Sequence, residues 1–196
     1  SLMVALTLPA AAGLALVAKP LAAVMVGPAL RDGAAQVTPW VAASAFLAGI
    51  TVYYFHTAFT LARRTPLLMA AMTVPAVANL TLNLILVPRL GIPGALWATL
   101  ISYGLGAVAS WALGRSVLAL PIPWATIVKA GIATLGMALA VRALPAYGGV
   151  VELILKAGTG AVTYAALALV LDVGGLRTQS PRLVLRLASA LRARFA

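Results

Sequence analysis

Residues 93–114, PGALWATLISYGLGAVASWALG, carry no charge, and every fourth residue is small: Gly94, Ala98, Ser102, Gly106, Ser110 and Gly114. A helix rises 1.5 Å per residue, so about 20 apolar residues cross the roughly 30 Å of hydrocarbon in a bilayer. Lipid tails are as apolar as the helices they surround, so helices associate there mainly by close packing. A small face allows that approach, with van der Waals contact and Cα–H hydrogen bonds as the gain. The stretch therefore predicts a membrane-spanning helix packed against a neighbour rather than lining a pore.

Working outward, five further stretches have the same length and character, giving six predicted spans at residues 2–27, 40–62, 66–88, 93–114, 123–144 and 150–171. Turn and charge signals separate them: Gly27-Pro28 with Arg31-Asp32-Gly33, Arg63-Arg64-Thr65-Pro66, Pro88-Arg89, Pro121-Ile122-Pro123, and Pro145 with Gly148-Gly149. Connections this short make successive helices antiparallel neighbours. The composition agrees: of 196 residues, 63% are hydrophobic and 9% charged, against about 25% charged in a soluble domain. The fold class is all-α, a polytopic membrane helix bundle. Residues 1–175 form the bundle and 176–196 a basic amphipathic tail. Ser1 is followed directly by the apolar run, with no basic segment of a secretory leader, which reads as the C-terminal piece of a longer protein.

The charges are lopsided, 14 Lys and Arg against 3 Asp and Glu. They lie between and after apolar runs, which points to membrane anchoring and argues against nucleic acid. Counted on alternate sides, Arg63, Arg64, Arg115, Lys129, Arg177, Arg182, Arg186, Arg192 and Arg194 share one side, and Lys19, Arg31, Arg89, Arg142 and Lys156 the other. The richer side is expected in the cytoplasm, with Arg63, Arg64 and Arg115 as positive anchors and both ends of the chain on that side. In the tail, Ser180-Pro181 opens a short helix whose Leu183, Leu187, Leu191 and Phe195 form a stripe suited to lie on the inner leaflet. There is no Cys, which excludes disulfides and a thiol nucleophile. Asp32 is expected in a loop, Glu152 near a helix start and Asp172 near a helix end. No carboxylate pair or Ser/His/acid grouping results, so neither catalytic residues nor metal ligands are predicted, and no cofactor is implied.

A few polar side chains interrupt the spans. Asn79 and Asn83 are four apart with Pro75 one turn earlier, so they share a face that should turn inward. They act either as interhelical hydrogen-bond partners or as substrate contacts beside a bend at Pro75. Lys19 precedes Pro20 in the first span, and either snorkels outward or faces a wet interior. His56, the sole histidine, has Tyr53, Tyr54, Thr57 and Thr60 nearby, and three-and-four spacing puts Tyr53, Thr57 and Thr60 on its general face. It is either a titrating or ligand-binding group or a hydrogen-bonded interior one. Lys129 and Lys156, about one turn inside their spans, read as interfacial snorkelers.

The run from Asn79 to Tyr103, NLTLNLILVPRLGIPGALWATLISY, resembles the signature N-x-x-L-N-x-x-L-I-P-x-x-G-I-x-G-A-A-x-A-T-x-I-S in the C-terminal half of polysaccharide export proteins. These are the Wzx-type O-antigen and exopolysaccharide flippases of the multidrug/oligosaccharidyl-lipid/polysaccharide superfamily, whose drug-exporting branch gives the fold its MATE-like name. Leu96 stands where the family usually has a second Ala. The first span is similar too, with Gly13-Leu14-Ala15, Ala18-Lys19-Pro20-Leu21 and the Gly27 loop, whereas beyond residue 115 the likeness is one of hydropathy alone.

The resemblance implies a transporter of 12 or 14 helices in two lobes around a central cavity, working by alternating access in the bacterial inner membrane, with this chain as its C-terminal part. Its substrate would be an oligosaccharide on a polyprenyl diphosphate, and a glycan polymerase and other export proteins would be its partners, besides membrane lipids. Moving about two negative charges outward down an inside-negative potential is favoured by about 4 to 5 kcal/mol per 100 mV. Under that reading Lys19 and His56 line the path for the diphosphate, while Tyr53, Tyr54, Thr57 and Thr60 meet the sugars. A cation-coupled drug exporter of the same fold would need an intramembrane carboxylate, and a membrane glycan polymerase or ligase a large outer loop. The chain has neither.

Overall fold

The computed structural model describes residues 2–118 and 120–175. Among these, every regular element is helical: α1 (Leu2–Leu16), α2 (Ala18–Met25), α3 (Arg31–Ile50), a π-helical segment (Thr51–Phe55), α4 (His56–Leu61), α5 (Thr65–Leu90), α6 (Ile92–Arg115), α7 (Trp124–Arg142) and α8 (Gly149–Val170). The rod Pro28–Leu61 and helices α5 to α8 are five units long and apolar enough to cross a membrane, and α1 with α2 makes a sixth if the bent pair is one span. The outer surface is greasy, with Leu80, Leu84, Leu139 and Val162 each more than 60% exposed. Water does not tolerate so continuous an apolar surface, so the chain is a helical membrane protein. The amphipathic tail expected over 176–196 lies outside the described residues.

Two boundaries depart from expectation. The first span is not one rod: α1 and α2 meet at 66°. Pro20 has no N–H to offer the Leu16 carbonyl, and Val17 at the joint adopts φ −93°, ψ 9°, outside the helical well. The second span begins earlier than residue 40. After a single 3₁₀ turn at Pro28–Leu30, α3 runs from Arg31 and carries Asp32 in its first turn, so Asp32 is not a loop residue. Proline at the start and an acid in the first turn both favour a helix N-terminus, which outweighs the turn character of Arg31-Asp32-Gly33.

Packing runs from α5 through α6, α3 and α1/α2 to α7 and α8. The buried residues of α6 are Gly94, Ala98, Ser102, Gly106, Ser110 and Gly114, the predicted small face. A β-carbon at Gly106 would stand 2.9 Å from the Pro75 ring, so the ladder brings α6 onto the proline of α5. Gly91, at φ 64° and ψ −137°, turns the chain between these helices in a region only glycine adopts readily. At the far side, Ala5, Ala130, Ala133, Ala168 and Val173 form a core joining α1, α7 and α8.

Arg63 closes α4 at φ 54°. The Arg64 N–H donates to the Phe59 carbonyl at 2.9 Å and the Arg63 N–H to the Thr60 carbonyl at 3.2 Å, the two bonds of a Schellman cap with arginine where glycine is usual. Arg63→Gly will therefore raise stability by about 0.5–1 kcal/mol, the left-handed strain outweighing the flexibility that glycine adds to the unfolded chain. Thermal unfolding in detergent checks this, and a lowered midpoint would show that the arginine side chain contributes more than its backbone costs.

Candidate functional site

Three places in the first three spans bear on the candidate site residues. The first is built on the π-helical turn. The His56 N–H bonds back to the Thr51 carbonyl, five residues earlier, so within this turn the stacking interval is five rather than four. Thr51 and His56 consequently point the same way. They line a cavity of about 170 Å³ with Met72 and Pro75 of α5 and Tyr103 and Gly106 of α6. His56 Nε2 lies 3.2 Å from Ser110 Oγ, and Ser110 is fully buried in the small face of α6. Each group can donate or accept, so the contact pairs Nε2 with the buried hydroxyl in either tautomer.

The same π-turn moves Tyr53, which precedes His56, off the face of the histidine. Tyr53 is 74% exposed. Thr57 and Thr60 are exposed as well, and their hydroxyls donate to the backbone carbonyls of Tyr53 and His56 at 3.0 and 3.2 Å. Tyr54 is half-buried and donates its hydroxyl to the Pro121 carbonyl, tying the π-turn to the α6–α7 connection. Of the expected stripe, Tyr53 is turned away from His56, whereas Thr60, one α-helical turn later, stays on its side of the helix but outside the cavity. Thr51, Tyr103 and Ser110 take the place of those residues around the histidine.

The second place is the bend of the first span. Lys19 on α2 is exposed and lines an open concavity of about 470 Å³ with Arg31, Asp32 and Gln36 from the opening turns of α3. Lys19 and His56 do not meet: from Gln36, beside Lys19, the rod continues for 20 residues to His56, about 30 Å at 1.5 Å per residue. They occupy opposite halves of the bundle.

The third is the Asn79–Asn83 pair, half-buried on α5. Asn83 Nδ2 donates to the Asn79 carbonyl at 2.8 Å and to its Oδ1 at 3.0 Å. The two amides bond to each other along their own helix, which leaves Asn79 Nδ2 and Asn83 Oδ1 for other partners. Lys156 reaches back one turn toward the start of α8 and pairs with the buried Glu152 at 2.5 Å, whose other oxygen accepts the Gly148 N–H at 2.8 Å. At the end of the bundle where α4 stops, Arg63 and Arg64 are exposed, and Arg115 lies 4.9 Å over the Trp111 ring. Among the described residues no three of His, Asp and Glu come together as a metal site requires. Comparison of the chain with protein-family models, with curated proteins and with solved structures yields no match.

Proposed function

We propose that this chain is part of a transporter that moves an oligosaccharide linked through diphosphate to a polyprenyl lipid across the bacterial inner membrane by alternating access, without catalysing a covalent step. The observation that carries the reading is the broken first span. Its 66° joint at Val17 comes two residues before Lys19, which lines a concavity with Arg31. Discontinuous membrane helices are a recurring construction at transporter binding sites, because they free backbone groups and place charge where an unbroken helix presents only side chains. The resemblance of residues 79–103 to polysaccharide exporters supplies the substrate class, and the surplus of cations suits an anionic lipid.

In this reading a second lobe completes the central cavity in the manner of MATE-like transporters. Arg63, Arg64, Arg115 and Lys129 face the cytoplasm, and Lys19 and Arg31 the outer side. Separated by about 30 Å, Lys19 and His56 act at different stages of the passage rather than as one site. Asn79 and Asn83, one turn and two turns beyond Pro75, lie where a hinge in α5 would be felt.

The gene carrying this chain, placed in a strain lacking its own flippase, is expected to restore surface glycan, and Lys19→Ala with His56→Ala to reduce it by about tenfold or more. No restoration by the unaltered gene argues against the substrate class. Full activity of the double variant removes these two residues from the path. Because the chain has no Cys, single cysteines at 63–65 can be labelled from either side, and labelling from outside would reverse the orientation.

A further inference from the structure

We infer that the concavity between α2 and α3 is a binding site for a phosphate ester, formed by Lys19, Arg31 and Gln36. The site rests on the transport reading, which already puts Lys19 beside a diphosphate, but binding to the purified chain can fail while transport stands, and the reverse. Its walls come from two elements: Lys19 and Ala23, one turn apart on α2, face Arg31, Asp32, Ala35 and Gln36 on the first turns of α3. The two alanines leave the space and the longer side chains supply the polarity. At about 470 Å³ the opening has room for a mono- or diphosphate ester.

The arginine is set for the task. Its Nε donates at 3.1 Å to the carbonyl of Val26, just past the end of α2, which uses the one donor that points back along the side chain. The terminal nitrogens remain for a bidentate contact, the geometry in which guanidinium matches a phosphate better than a point charge does. Lys19 supplies that point charge from the opposite wall, and the Gln36 amide can donate. Asp32 also lines the space and opposes an anion, but it forms no ion pair with Lys19 or Arg31 among the described residues, so neither side chain is held in a carboxylate contact and the space keeps a net positive charge.

Depth favours phosphate over other anions. The rod Pro28–Leu61 has 34 residues, about 50 Å against a hydrocarbon thickness of about 30 Å. With the excess length shared between its two ends, its opening turns would stand at the level of lipid phosphates. Two sources share this chemistry: a lipid headgroup, or free phosphate and diphosphate in the adjoining water.

The test measures binding to the purified chain in a phosphate-free nonionic detergent, with dioleoyl phosphatidic acid, dioleoylglycerol as the phosphate-free control, and inorganic pyrophosphate as separate titrants. Phosphatidic acid, pyrophosphate or both are expected to bind saturably and dioleoylglycerol not to. Lipid alone identifies a headgroup site, and pyrophosphate binding or competition a site open to the free anion. Lys19→Gln with Arg31→Gln should weaken binding about a hundredfold, about tenfold for each charge-assisted contact. Asp32→Asn should tighten it several-fold, a gain that a folding defect does not produce. Arg64→Gln, at the other end of the bundle, should change it less than about twofold. Absence of phosphate-dependent binding, indifference to the double substitution, or an equal loss in Arg64→Gln would each overturn the site.

Discussion

Gly94→Val will separate α5 from α6 and cost at least about 3 kcal/mol, the upper part of the range for overpacking, because the obstacle is backbone and not side chain. A β-carbon built at Gly94 would lie 2.7 Å from the carbonyl carbon of Leu86 and 3.1 Å from the nitrogen of Val87. A side chain in that position can rotate away, whereas a helix backbone moves only by shifting the whole helix. The loss then spreads along the ladder, since Gly106 against Pro75 depends on the same close approach of α6 to α5. Gly104 is the internal control. It stands in the same helix with nothing within 4 Å of its would-be β-carbon, so Gly104→Ala should be neutral or stabilise by up to about 1 kcal/mol through helix propensity. Thermal unfolding of both variants in detergent, with size-exclusion profiles, separates the outcomes. A Gly94→Val protein as stable as Gly104→Ala would mean that the α5–α6 contact is not where the structure puts it.

That helix interface was legible in the sequence for a definite reason. In lipid, polarity no longer sorts inside from outside, so residue size takes over, and a four-residue recurrence of Gly, Ala and Ser survives as the mark of the buried face. Four of the six spans were legible to within a few residues for the related reason that length and apolarity are the same constraint there. What escaped reading depends on hydrogen bonds that sequence does not display. Nothing in Thr51-Val52-Tyr53-Tyr54-Phe55 announces a π-turn, yet one extra residue per turn decides that Thr51 and not Tyr53 accompanies His56. Ser110 carried two meanings at once, a small residue for packing and a hydroxyl for the histidine, and only the first shows in a spacing argument. Asn79 and Asn83 were placed on one face correctly, but spacing does not show that amides four apart also bond to each other along the helix. Pro20 was visible as a disruption, and the 66° bend it accompanies was not, because the angle is set by what α2 packs against in α3 and α8.

Tyr164→Phe will destabilise the chain by about 1–3 kcal/mol, and Pro9→Ala in the same protein will abolish most of that cost. Pro9 sits inside α1, where its missing N–H leaves the carbonyl of Ala5, four residues back, without its helical partner. The Tyr164 hydroxyl of α8 donates to that carbonyl across the bundle. Ala5 is 3% exposed, so neither water nor a lipid headgroup can substitute. Tyr164 also packs against the core that joins α1, α7 and α8, and phenylalanine keeps that contact, so the substitution isolates the hydroxyl. With alanine at position 9 the backbone N–H returns and claims the carbonyl, and the tyrosine hydroxyl loses its purpose there. The two changes should therefore couple: the loss from Tyr164→Phe alone should exceed its loss in the Pro9→Ala background by 1 kcal/mol or more, roughly the net worth of one hydrogen bond. Additive effects would instead mean that the hydroxyl and the proline act independently, and that the long reach from residue 164 to residue 5 holds α8 against α1 by packing alone.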